Sequence, residues 1–135
     1  MKTNKLSSKG FTIVELLIVI VIIGILATIG FVSFSSAQNK AKKSKAQSTV
    51  SQVKSKLGEY FSENNSYPAA KADVVTYLEG NGGASTAGEF GTANYEYTAE
   101  PAGCTTAADD CTSFELTALA SYWNADAAEN LVVTE

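Results

Sequence analysis

The feature that most constrains this chain is a run of apolar residues near its start. From Leu16 to Val32 there are 17 residues, and Thr28 is the only one with a polar side chain. From Phe11 to Phe34 the stretch is 24 residues long with a single charge, Glu15. As a helix at ~1.5 Å per residue it reaches about 36 Å, enough to cross a hydrocarbon layer of ~30 Å. The overall apolar share of 45% therefore misleads, because what remains is polar and poor in large aliphatics. That remainder can bury only a thin core.

Charge is as uneven as hydropathy. Lys2, Lys5 and Lys9 precede the apolar run, and Lys40, Lys42, Lys43, Lys45, Lys54 and Lys56 follow it. Beyond Lys56 there is one base, Lys71, against 13 acids, a formal charge of −12. Such a segment repels nucleic-acid phosphates, which proteins meet with Lys and Arg. Histidine is absent, which removes the commonest general base and metal ligand together. No phosphate-cradling glycine loop, nucleophile–base pair or catalytic carboxylate pair is visible, so the chain reads as non-enzymatic and no cofactor is expected.

No proline occurs before Pro68, and Ala46, Val50, Val53, Leu57 and Phe61 recur at the spacing of one helical face. This predicts one long helix from about Thr12 to about Asn64, apolar all round in its first half and amphipathic in its second. A helix of that length needs partners, either lipid or copies of itself. Asn64, Asn65, Ser66 and Pro68 are its stop signal. Residues 69–79 suit a second short helix, and 80–91 (GNGGASTAGEFG) a glycine-rich loop. Asn94–Glu100, Ser113–Ala120 and Leu131–Thr134 suit strands. The expected class is α+β, a long N-terminal helix packed against a small antiparallel sheet.

Residues Lys9-Gly10-Phe11-Thr12-Ile13-Val14-Glu15, leading straight into the apolar helix, closely resemble the type IV prepilin signature. Gly24 matches a glycine that the family carries inside this helix, and Asn65 to Pro68 is similar to the helix ending of pilins and pseudopilins. The resemblance implies a type IV pilin-like fold. It implies cleavage between Gly10 and Phe11 by a prepilin peptidase, and N-methylation of Phe11. It also implies an ion pair between Glu15 and the α-amine of Phe11 on a neighbouring subunit. The simpler alternative for Glu15 is an acid facing the helix macrodipole, worth about 0.3–1 kcal/mol. A cut at Ser35-Ser36-Ala37 is a weaker alternative that would discard the helix.

The divisions expected are a leader at 1–10, a membrane-spanning or filament-core helix at 11–34, its amphipathic continuation at 35–64 and an acidic head at 65–135. The function implied is a structural pilus subunit. Its partners would be further copies of itself, other pilins, the peptidase, the inner-membrane assembly machinery and, before assembly, the membrane. The precursor would sit in the inner membrane and the product in an extracellular filament. A pseudopilin of a secretion or DNA-uptake machine is one alternative, and an uncut single-span protein with a ligand-binding head is another.

Gly24 and Gly30 are candidate points of helix flexibility; six apart, they form no G-x-x-x-G face. Related pilins often carry a proline near position 32, where this chain has Val32. Lysines 40–45 read as a solvated face or the positive flank of a span, or as an attraction for acidic heads of neighbouring subunits. Cys104 and Cys111 are expected to form a disulfide closing a ring of eight residues, worth about 2–3 kcal/mol. A metal pair is the rival, but zinc lacks its usual further ligands. Asp109, Asp110, Asp126 and Glu129 match no calcium-loop spacing and read as solvated turns. Tyr122 and Trp123 read as core or partly buried surface rather than a ligand platform, and Asn64-Asn65-Ser66 fits a glycosylation sequon that is frequent by chance.

Overall fold

The computed structural model describes residues 10–108, 110–125 and 127–135. Expectations resting on Lys2, Lys5, Lys9, Asp109 and Asp126 lie outside the described residues, as does the side chain of Val32. The chain divides into two units, residues 1–37 and residues 38–135.

The first unit consists of the opening part of helix α1, which as a whole runs Ile13–Asn64 over 52 residues. Thr12 precedes it as the N-cap, and its reciprocal bonds with Glu15 start the helix. No large apolar side chain described between Phe11 and Phe34 is less than 50% exposed. The stretch is long and apolar enough to cross a membrane.

In the second unit the amphipathic part of α1 buries Ala46, Val50, Val53 and Leu57, the face the spacing predicts. Asn65 ends α1 by turning left-handed at φ 57°, with its N–H donating to the Phe61 carbonyl at 2.8 Å. Asn tolerates this conformation where most residues do not. Ser66, Tyr67 and Pro68 then turn inward and are buried.

Helix α2 (Lys71–Gly80) follows, with Asp73 accepting from the Ala70 N–H at 3.2 Å. The expected glycine-rich loop is corrected here, because Ala84–Phe90 forms a helix, α3. Gly82 supplies the left-handed turn at φ +76°, and Gly83 donates back to the Leu78 carbonyl at 2.8 Å. Ala87 and Phe90 are fully buried, and this packing holds a helix too short to persist alone.

Strands β1 (Tyr95–Glu100), β2 (Ser113–Ala118) and β3 (Leu131–Thr134) form an antiparallel sheet in that order. The register pairs Tyr97 with Leu116 and Leu116 with Val133. Period two then puts Tyr95, Tyr97, Ala99, Phe114, Leu116, Ala118, Leu131 and Val133 on the core face. Beyond β2 the expected strand gives way to a 3-10 turn at Ala120–Trp123. The fold is thus α+β, the long helix packed on a three-stranded antiparallel sheet.

Candidate functional site: the processing and assembly region

Gly10 is exposed, and Phe11 is 90% exposed, immediately before the helix. A bond of this kind, exposed and just ahead of a helix, is open to a protease. Phe11, Glu15, Leu16, Val19 and Ile20 line one surface groove, so the Phe expected to follow the cut and the charged residue expected to serve assembly share one end of α1.

Glu15 has a local partner that reading it alone missed. Its Oε2 accepts from the Thr12 backbone N–H at 2.9 Å and the Thr12 hydroxyl at 2.7 Å. In return the Glu15 N–H donates to Thr12 Oγ1 at 3.2 Å. This is a capping box, satisfying free N–H groups at the helix start. Thr-x-x-Glu just before an apolar run is its sequence signal, and Thr12 to Glu15 spells it. The box favours the simpler helix-start role for Glu15 within one chain, and it fixes the carboxylate through one oxygen.

Gly24 and Gly30 lie within α1, and a β-carbon at either would meet nothing within 4 Å. Neither glycine is therefore required by close approach within the chain. Thr28 sends its hydroxyl back to the Gly24 carbonyl at 2.8 Å, a bond type that tends to bend helices.

The lysines after the apolar run divide into two sets. Lys43 pairs with Glu129 at 3.1 Å, Lys54 with Glu135 at 2.6 Å, Lys56 with Glu59 at 2.6 Å, and Lys45 with Glu89. The chain's own acids thus take Lys43 and Lys45 of the cluster at 40–45 expected to be a solvated face, a positive flank or an attraction for neighbouring heads, and Lys54 and Lys56 beyond it. Glu89 sits at the centre of a small network, since it also accepts from the Tyr95 hydroxyl at 3.2 Å. Burial pushes its carboxyl up, but Lys45, Tyr122 and Tyr95 together hold it below the usual range. The bond to Glu89 correspondingly holds the Lys45 amine up. Burial lifts the Tyr95 hydroxyl to about 12.

Lys71, the one base in the head, is an internal staple. Its amine donates to the Thr92 and Tyr95 carbonyls at 2.6 and 2.7 Å and lies 5.2 Å over the Phe90 ring. Burial pushes that amine down.

Cys104 and Cys111 are bonded to each other. Their loop is tied to the end of α1, as Tyr67 donates to the Cys111 carbonyl at 2.8 Å and Ala69 to Thr106 Oγ1 at 2.9 Å. Asp110 lies near both sulfurs, but the S–S bond occupies the thiols and Asp110 accepts from the Thr105 N–H at 2.7 Å. With Glu129 bound to Lys43, the two described acids of the calcium reading have other partners. Trp123 is buried as expected, and Tyr122 is partly buried. In the sequon, Asn64 is held in the last helical turn by its bond to the Tyr60 carbonyl at 3.0 Å, and Ser66 is buried.

Residues 5–31 match the family model of the prokaryotic N-terminal methylation motif. No curated protein and no solved structure matches the chain. The match spans the Gly10–Phe11 bond, Glu15 and Gly24, so over these residues the chain is similar to the prokaryotic N-terminal methylation motif.

Proposed function

We infer that this chain is the precursor of a structural, non-enzymatic subunit of a type IV pilus. Residues 1–10 are a leader removed between Gly10 and Phe11, and the new α-amine of Phe11 is methylated. Residues 11–34 are the membrane-spanning and later filament-core helix, 35–64 its continuation, and 65–135 the head. The precursor resides in the inner membrane, and the assembly machinery transfers it to an extracellular filament of like copies.

One observation carries this reading. The apolar stretch from Phe11 to Phe34 lies mostly within the matched motif, follows the proposed cut at Gly10 and has no cover among the described residues. Cleavage there retains the stretch, whereas an ordinary signal peptide takes its apolar region with it. Exposed apolar surface on this scale demands lipid or other helices. Assembly replaces lipid contacts by helix packing.

In that setting Glu15 serves twice. Thr12 orients the carboxylate through Oε2, and Oε1 accepts from the Phe11 ammonium of the next subunit. A charge at membrane depth costs up to roughly 2.5–3.5 kcal/mol, which favours the register in which it is paired.

The test is the intact mass of the protein from its native cells. The expected mass lacks residues 1–10, gains one methyl group and has lost two hydrogens to the disulfide. An N-terminus at Met1, or one beyond Ala37, refutes the reading. Electron microscopy then separates a pilus from a short pseudopilus, long surface filaments being expected.

A further inference from the structure

The pairing pattern of the lysines leaves two of them over. Lys43, Lys45, Lys54 and Lys56 each meet a carboxylate of the chain's own, whereas no described carboxylate pairs with Lys40 or Lys42. Both are exposed, and Lys42 makes only a loose contact, its amine 5.7 Å over the Tyr122 ring. These are the first two lysines after the apolar stretch, six and eight residues beyond Phe34. Between them and Phe34 stand the uncharged Ser35, Ser36, Ala37, Gln38 and Asn39.

We propose that Lys40 and Lys42 are a binding surface for anionic lipid headgroups. The inference rests on the membrane-inserted precursor argued above and adds the class of lipid it contacts. The span ends at Phe34, the last of the exposed large apolar side chains of α1. Along α1, Lys40 and Lys42 follow it by about 9 and 12 Å. The headgroup layer on each side of a bilayer is roughly 5–7 Å deep. Side chains on a helix lean toward its N-terminus, here back toward the apolar stretch. A lysine stem is long enough to cover the remaining few ångströms and place its amine at the phosphates.

At about 100° per residue the two amines leave the rod on nearly opposite sides, so they engage separate lipids. A second copy's acidic head is the competing partner. It is disfavoured because the exposed apolar side chains just before these lysines call for a lipid layer, whose headgroups then lie next to both amines.

The experiment uses the full chain reconstituted into vesicles of phosphatidylcholine alone, or of phosphatidylcholine mixed with phosphatidylglycerol. Each lysine's rate of acetylation by a neutral reagent is read by mass spectrometry, with Lys54 as internal reference. Lys40 and Lys42 are expected to react several-fold more slowly in the anionic vesicles, and the protection to vanish in molar salt, where the Debye length falls to ~3 Å. Lys40→Gln should leave protection at Lys42, and Lys42→Gln at Lys40. Equal rates in the two vesicle types overturn the proposal. So does protection in neutral vesicles that grows with protein density, which marks a second copy, or protection conferred by inorganic phosphate alone. A chain that fails to float with either vesicle type overturns the membrane reading itself, whereas flotation without charge-dependent protection overturns only the lipid contact.

Discussion

At the scale of single residues, Thr12 links local structure to function. Its hydroxyl accepts from the Glu15 N–H and donates to the Glu15 carboxylate, and its own N–H donates to the same oxygen. Thr12→Ala keeps the backbone bond but loses both hydroxyl bonds, at a cost of about 1 kcal/mol at the helix start. Amide exchange of the full chain in detergent should therefore quicken over Phe11 to Leu16 and stay unchanged in the head, with Thr12→Ser restoring protection. Unchanged exchange at Leu16 would show that the box does not hold this end. Thr12 is legible in sequence as the first letter of a Thr-x-x-Glu pattern. Lys71 was not legible at all. A lone lysine in an acidic segment looks solvated, and its carbonyl partners lie 21 and 24 residues away. The lysine pairings were hidden for the same reason, since Lys43 and Glu129 are 86 residues apart.

Among the elements, those with a clear period were readable and the one defined by tertiary contact was not. The face of α1 carrying Ala46, Val50, Val53 and Leu57, the Asn65 stop and the alternation of β1 all follow from spacing and turn chemistry. Helix α3 does not, because it is only seven residues long with Ser85, Thr86 and Gly88 among them, and it forms because Ala87 and Phe90 have a core to enter. Its ties to α1 are the Thr86 hydroxyl on Gln52 at 2.6 Å and the Glu89–Lys45 pair. Glu89→Gln should loosen α3 and cost about 1–2 kcal/mol, a range kept low because the Lys45 partner is half exposed. The pH dependence follows from the two shifts. Glu89 titrates below its unfolded value, so its contribution is full above about pH 4.3 and is lost as pH falls through the folded pKa. Lys45 titrates above its unfolded value, so its contribution is full below about pH 10.4 and is lost as pH rises through the folded pKa. Melting curves of the two proteins should lie several degrees apart near neutral pH and converge in acid. A gap that persists at low pH would mean that Glu89 acts by packing rather than by charge.

For the whole molecule, the two units call for different surroundings. Residues 38–135 contain every residue of the buried cluster, from Ala46 to Trp123, together with the disulfide and the four ion pairs. The described residues among 1–37 contribute nothing to that cluster, and their large apolar side chains are open. The sequence made this split visible because hydropathy and charge both change at the same place, around residues 34–40. It left open which acids the lysines would meet, since that depends on how the head folds back on α1. If the head's stability is independent of the apolar stretch, a chain that starts at Gln38 should fold in water with its disulfide formed. Its melting temperature should match that of the full chain in detergent to within a few degrees, and cooperative unfolding should be retained. The part of α1 left in it would persist because Val50, Val53 and Leu57 are packed, not because an isolated helix of that length is stable. The same truncation should abolish flotation with vesicles and entry into filaments, since both are assigned to the exposed apolar side chains. A truncated chain that stayed monomeric and soluble but failed to melt cooperatively would place part of the head's stability in residues 1–37 and break the division of labour between the units.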